Sequence, residues 1–206
     1  DRQIPVYMRS CVFLNCTAKN TLILVSSKAT TISHICCSNL IFKKSDDIED
    51  IGGEYASFII SNAKADSFVK LIYSTILGCN NYNVNKHVCR FLGSYAINFQ
   101  CNNMSNFILK ENEQRSVVIF EQTSCINMLM NSFVKLNSQY VISFRPNNGN
   151  SEAFIYYIGN TNFYKNEFKT NLITGELKEN THLKFENCAF INLDDYKNVF
   201  NFPSGN

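Results

Sequence analysis

The apolar positions of this chain alternate in short bursts that slip phase. In Phe185-Glu186-Asn187-Cys188-Ala189-Phe190-Ile191-Asn192-Leu193, Phe185 and Asn187 share one parity, while Cys188, Phe190 and Asn192 share the other. Phe13-Leu14-Asn15-Cys16 carries the same Phe-x-Asn-Cys spacing near the other end. Side chains of a strand alternate between two faces, so a one-residue slip marks a corner after which a new strand begins. The pattern predicts Phe185 inward on one strand, Asn187 at a bend with positive φ, and Cys188 inward on the next. Asparagine suits that bend because its short polar side chain tolerates the left-handed region. Asn15, flanked by Phe13 and Cys16, is predicted to be the same corner several coils away.

Most other segments read as short strands. Val117–Phe120, Tyr140–Phe144 and Ala153–Ile158 are β-branched and aromatic, and are bounded by Asn, Ser or Gly. Between Ser67 and Cys79, Phe68, Leu71, Ile72, Thr75, Ile76 and Cys79 fall at helical spacing, whereas Tyr73, Thr75 and Leu77 fall at period two. The β-branched content and the absence of strong caps favour strand.

Repetition decides the expected architecture. Intervals between Cys16, Cys37, Cys79, Cys101, Cys125 and Cys188 are near multiples of about 21 to 25 residues. The anchors missing from this series fall near Ser57, near Ser143-Phe144-Arg145-Pro146 and in Asn160-Thr161-Asn162. Such a period, with two or three strands in each, predicts an all-β fold, a right-handed single-stranded parallel β-helix of about eight to nine coils in a single domain over 1–206. Its length would be roughly 40 Å at about 4.8 Å per coil. Phe13, Cys16, Cys37, Cys79, Cys101, Cys125, Phe185 and Cys188 are the expected core stack. Asparagines at successive bends are expected to form amide ladders. A β-sandwich would show more Asn-Gly or Asp-Gly hairpin turns, and a propeller blade a longer period.

Composition adds detail. The chain has 206 residues, 17% of them charged, with 45% hydrophobic residues and 29 asparagines. Charge is low for a globular protein, and an AT-rich genome would by itself enrich Asn, Lys, Ile and Phe. The net charge of +2 and the scattered basic residues, Lys43-Lys44 being the one adjacent pair, give no footprint for nucleic acid. No apolar run is long enough to span a membrane. The opening Asp1-Arg2-Gln3-Ile4-Pro5-Val6 lacks the regions of a signal peptide, and the strand-like pattern beginning at once reads as a piece of something larger. The nine cysteines leave at least one thiol without an intramolecular partner, and the apolar settings of Cys16, Cys101 and Cys188 favour buried thiols over a disulfide framework. Asn15-Cys16-Thr17 and Asn103-Met104-Ser105 are sequons, which would permit glycosylation at Asn15 and Asn103 in a secreted protein.

Candidate chemistry is sparse. Asp46, Asp47, Glu49 and Asp50, and Asp194 with Asp195, are the carboxylate groups from which a glycosidic site could be built. They lie in polar, loop-like sequence, and neighbours on a strand face opposite ways, so solvated loop acids are the simpler reading. His34-x-Cys36-Cys37 and His87-x-Cys89 hold metal-ligating types without a four-ligand spacing, and His182 stands alone. No cofactor, metal or catalytic residue is expected. Tyr156, Tyr157 and Tyr164 are candidates for stacking on a glycan, against the commoner role of half-buried strand tyrosines.

Phe99-x-x-Asn102, Phe144-x-x-Asn147, Phe163-x-x-Asn166 and Phe168-x-x-Asn171 match an FxxN repeat, and Gly52-Gly53-Glu54-Tyr55 matches the Gly-Gly half of a companion GGA unit, with Glu54 in place of Ala. On these motifs the chain resembles the parallel β-helix repeats of parabasalid surface proteins, which are similar to those of chlamydial polymorphic outer membrane proteins. The resemblance implies a cell-surface or extracellular adhesive protein, or a filament-forming one. Its partners would be proteins, through self-assembly or the neighbouring coils of a larger protein, or a glycan, and no catalytic residues are implied. A carbohydrate-active β-helix and a cytoskeletal or flagellar component are the alternatives.

Overall fold

A computed structural model describes residues 4–19, 23–25, 27, 29–43, 56–62, 67–78, 87–93, 95–109, 116–145, 153–193 and 198–202. Among them there is no helix, and every strand pairing is parallel. The first sheet runs Val6–Arg9, Ala29–Ser33, Phe68–Ile72, Ala96–Gln100, Cys125–Leu129, Phe154–Gly159, Thr181–Glu186. The second runs Val12–Leu14, Cys36–Ser38, Thr75–Leu77, Asn103–Ile108, Ser132–Ser138, Asn162–Tyr164, Ala189–Ile191, with Glu167–Phe168 also pairing to Ser132–Ser138. The third runs Ile23–Val25, Ala56–Asn62, His87–Leu92, Ser116–Glu121, Tyr140–Arg145, Asn171–Gly175, Asn198–Asn201. A small fourth sheet pairs Thr17–Lys19 with Ile41–Lys43. The chain is a parallel β-solenoid that visits each long sheet once per rung.

The 67–78 segment resolves as two strands, Phe68–Ile72 and Thr75–Leu77, with a corner between them. Its helical spacing arises because the corner at Tyr73-Ser74 shifts the strand parity. The three segments read as strands from sequence are strands, over Ser116–Glu121, Tyr140–Arg145 and Phe154–Gly159.

The rung is longer than the cysteine spacing predicts. Tyr7, Thr31, Lys70, Asn98, Asn127, Tyr157 and Lys184 are successive register partners in the first sheet, at intervals of 24 to 39 residues, four of the six between 27 and 30. Among the described residues each long path holds seven strands, against the eight or nine coils expected. The 39-residue interval contains residues 44–55, which lie outside the described residues.

The core is a set of columns running along the solenoid. In the second sheet, Phe13, Cys37, Ile76, Met104, Phe133, Phe163 and Phe190 occupy one inward register. The rings of Phe133, Phe163 and Phe190 stack nearly parallel, with centroids 5.2 and 5.0 Å apart. In the third sheet Phe91, Phe120 and Phe144 stack at 5.3 and 5.7 Å. The next position of that column is Gly175, where a Cβ would lie 2.8 Å from the Phe144 Cβ. Tyr156 of the first sheet packs on Phe144 there, at 5.0 Å. These ring separations match the strand spacing of a parallel sheet, about 4.8 Å, so identical residues at one register can stack without strain.

Candidate functional site

The corners are the most regular polar feature of the molecule. Between the first and second sheets every rung turns on a residue with positive φ: Ser10, His34, Tyr73, Cys101, Met130, Asn160 and Asn187. Five residues later each rung turns again, at Asn15, Asn39, Gly78, Asn106, Lys135, Lys165 and Asn192. The ladder continues through the bends. Cys101 N–H donates to the Leu129 carbonyl (2.9 Å), Met130 N–H to Gly159 (3.0 Å) and Asn160 N–H to Glu186 (2.9 Å). Backbone pairing to both neighbouring rungs holds φ near +50°, which explains why Tyr, Met and Lys are accepted where Asn or Gly would be cheaper.

Asn15 and Asn187 both take positive φ, at 51° and 52°, but at different corners. This corrects the expectation that they are one corner repeated. Asn187 is equivalent to Ser10, and Phe185-Glu186-Asn187-Cys188 to Met8-Arg9-Ser10-Cys11. Asn15 is equivalent to Asn192, within Phe190-Ile191-Asn192-Leu193. The stretch Phe185–Leu193 therefore contains two successive corners of one rung.

Among the described residues, the one just after each of these corners points inward, and here buried asparagines tie rungs together. Asn131 is 2% exposed. Its Nδ2 donates to the Phe99 carbonyl (2.8 Å), and its Oδ1 accepts the backbone N–H of Asn102 (3.0 Å). Asn102 repeats this one rung earlier, on the Leu71 carbonyl (2.9 Å) and Ser74 N–H (3.1 Å). Asn166 repeats it at the second corner, on the Phe133 carbonyl (3.0 Å) and Leu136 N–H (3.1 Å). Both ends of each amide are thus spent on backbone groups that would otherwise be buried without partners. For Phe99-x-x-Asn102 and Phe163-x-x-Asn166, this is what the FxxN spacing does: the Phe packs inward and the Asn three residues on clamps the preceding rung. In Phe168-x-x-Asn171, Asn171 Nδ2 instead donates to the Asn198 carbonyl (3.2 Å). Asn147 lies outside the described residues. An outer amide contact also occurs, where Asn39 Nδ2 donates to Asn15 Oδ1 at 2.7 Å on the exposed edge.

The predicted core stack divides among several kinds of position. Phe13 and Cys37 share the inward column of the second sheet. Phe185 continues the first sheet's inward column of Met8, Ile32, Leu71, Phe99, Met128 and Ile158. Cys16 and Cys188 follow second and first corners respectively. Phe13, Cys16, Phe185 and Cys188 are half-buried and pack against the core, because they belong to the first and last described rungs. Cys101 and Cys125 are corrections. Cys101 is a half-buried corner residue with φ of 54°, and Cys125 faces outward, with Ile126 and Met128 taking the inward places. Cys79 lies outside the described residues. Cys11, Cys16, Cys36, Cys101 and Cys188 are free thiols.

The candidate carboxylates Asp46, Asp47, Glu49, Asp50, Asp194 and Asp195, and the Gly52-Gly53-Glu54-Tyr55 unit, also lie outside the described residues. His34 is an exposed corner residue whose ring stacks on Tyr73 at 5.2 Å. Cys36 and Cys37 then point to opposite faces, so this trio does not converge. His87 is fully buried, with Nδ1 3.2 Å from Ser116 Oγ, while His182 is exposed. Among the described residues no group of three or more His, Cys, Asp or Glu side chains gathers around a common point. No described helix is long and apolar enough to cross a membrane.

Of the three tyrosines considered for glycan stacking, Tyr156 is a core residue. It is 1% exposed, and its hydroxyl donates to the Thr123 carbonyl at 3.0 Å. Burial pushes its ionisation far above the usual tyrosine range. Tyr157 and Tyr164 face outward, half-buried. Lys165 Nζ lies 5.2 Å from the Tyr164 ring centre. Tyr157 belongs to a polar cluster that sequence spacing did not reveal. Its hydroxyl donates to Glu186 Oε2 (2.9 Å), Lys184 Nζ lies 2.7 Å from the same oxygen, and the ammonium sits 5.4 Å from the Tyr157 ring centre. The bonds from Lys184 and Tyr157 hold the Glu186 carboxyl below its ordinary range, while the bond to Glu186 raises both partners. Exposed Asn103 and Asn15, the two sequon asparagines, lie on an outward strand position and an exposed corner. An open groove of about 450 Å³ is lined by Lys165, Asn166, Glu167, Asn192 and Leu193.

The chain matches no protein-family model, no curated protein and no solved structure.

Proposed function

We propose that this chain is a non-enzymatic structural segment, a rigid β-helical spacer of a cell-surface, adhesive or filament-forming protein. The observation that supports it most is the destination of the asparagines that follow the corners. Asn102, Asn131 and Asn166 direct both amide functions to the backbone of the preceding rung, which is chemistry committed to stiffness. Stacked rings and through-running corner hydrogen bonds add to the same property. The proposal includes right-handed winding, the hand that parallel-strand crossovers take in about 98% of cases. It includes the surface location and the kinship with parabasalid and chlamydial repeats, on the FxxN motifs, in two of which the Asn, Asn102 or Asn166, acts as a clamp. Outward Tyr157 and Tyr164 make glycan contact compatible with an adhesive role.

A glycan array combined with a reducing-sugar assay on polysaccharides tests this reading. Binding without turnover, or neither, agrees with a structural or adhesive segment. Turnover abolished by Asp47→Ala or Asp194→Ala would replace it with the carbohydrate-active alternative.

A further inference from the structure

The third sheet is short of the signal that aligns the other two. All six residues of Ser116–Glu121 are buried, and neighbours on a strand face opposite ways, so both faces of this strand are covered. A one-residue slip would exchange Val117 and Ile119 with Val118 and Phe120, apolar for apolar. The alternation that fixes register elsewhere, as in Cys125–Leu129, is missing here. Tyr140–Arg145, the next strand, repeats the difficulty with four buried residues in succession. The sheet also shifts register once, between Ala56–Asn62 and His87–Leu92.

Glu121 ends the buried run. It is 6% exposed, and its carboxylate touches both neighbouring strands. Oε2 accepts from Arg90 Nε of the preceding rung (2.5 Å), and Oε1 accepts from Arg145 Nη1 of the following rung (3.2 Å). Glu121 pairs in register with Leu92 on one side and Arg145 on the other, so Arg90 reaches it diagonally. A carboxylate this buried is costly unless it is paired. A one-residue slip turns it to the core face. A two-residue slip keeps the face but moves it about 6.6 Å along its neighbours, and at least one arginine is lost. We infer that Arg90, Glu121 and Arg145 form a register lock, three charges on successive rungs that admit one alignment of the third sheet and penalise the others. The Phe91–Phe120–Phe144 stack favours the same alignment by shape, and the charges add a penalty that apolar packing does not supply. The lock belongs to the fold itself and holds whether or not the segment serves as a spacer.

Urea unfolding and nuclear magnetic resonance of the isotope-labelled chain test the lock with three variants. Glu121→Arg places three like charges on successive rungs, and should lower the unfolding midpoint and split the amide resonances of residues 116–121. The mirrored triad, Arg90→Glu with Glu121→Arg and Arg145→Glu, restores complementary charge and should recover both the midpoint and a single set of resonances. The apolar triad, Arg90→Met with Glu121→Leu and Arg145→Met, should recover the midpoint alone. Apolar groups at these places need no partner, so the chain stays folded while a second set of resonances reports a second alignment. An apolar triad with one set of resonances and unchanged contacts among Phe91, Phe120 and Phe144 would overturn the lock. An apolar triad that fails to fold would overturn it too, because the charges would then supply stability rather than alignment. So would a mirrored triad no better than Glu121→Arg.

Discussion

Asn131 and Asn102 occupy the same place in adjacent rungs, and the Oδ1 of the first accepts the backbone N–H of the second at 3.0 Å. With its Nδ2 on the Phe99 carbonyl, Asn131 satisfies two buried backbone groups at once. Replacing it by alanine leaves both without partners and opens a void. Asn131→Ala should cost about 3 kcal/mol, read as a lowered midpoint in urea unfolding. The exposed Asn162→Ala, on an outward strand position, should stay within about 0.5 kcal/mol of wild type.

Phe163 sits between Phe133 and Phe190 in the second-sheet stack and is fully buried. Phe163→Ala should destabilise by about 3–5 kcal/mol, while Phe163→Leu, which keeps most of the volume, should cost about half that. Equilibrium unfolding followed by circular dichroism gives both values.

Met130 holds φ at 54° and is 55% exposed, so its side chain contributes little packing against its backbone strain. Met130→Gly should raise stability by about 0.5–1 kcal/mol. Leu129→Gly, one residue earlier in an extended strand, should lower it. A thermal melt of the pair distinguishes backbone relief from loss of side chain.

The Tyr157–Lys184–Glu186 cluster gives a pH dependence with a fixed sign. Lys184 and Tyr157 hold the Glu186 carboxyl below its ordinary value, so its contribution is complete above the normal carboxylate range and is lost as pH falls through the depressed value. Tyr157 is raised, so its contribution is present below the ordinary tyrosine value and is lost as pH rises through the raised one. The cluster is exposed and the stability change small. The clearer reading is spectroscopic. In the tyrosinate absorbance titration, the component lost in Tyr157→Phe should titrate later than free tyrosine, and in Glu186→Gln should move back toward it.

The corner principle was legible in Phe185–Leu193, since a parity slip at an asparagine is a local signal and needs only one rung to be read. The rung length was not. The cysteines used to measure it serve different purposes: Cys37 is inward on a strand, Cys16 follows a second corner, Cys101 is itself a corner and Cys125 faces out. Intervals between unlike positions can be near-constant without measuring the repeat. A better ruler was hidden in the hydrophobic registers, where Met104, Phe133, Phe163 and Phe190 recur.

The corner residues themselves were only half readable. Among the described residues Asn fills six of the positive-φ positions, but Ser10, His34, Tyr73, Cys101, Gln122, Met130, Lys135 and Lys165 fill others. Hydrogen bonds from neighbouring rungs fix the conformation there, so residue type carries little of the specification. Likewise the Tyr157–Glu186 contact spans 29 positions and depends on the register of two strands, which no local pattern encodes. FxxN was legible as spacing, whereas the clamp made by Asn102 and Asn166 depends on the rung before each.

The cross-rung clamp is the centre of this account, and its most direct test is nuclear magnetic resonance of the isotope-labelled chain. The Asn131 side-chain amide should show nuclear Overhauser contacts to Phe99 and Asn102, and its protons should be protected from exchange. An Asn131 amide that exchanges at the rate of free asparagine, with contacts only to its sequence neighbours, would contradict both the register and the clamp.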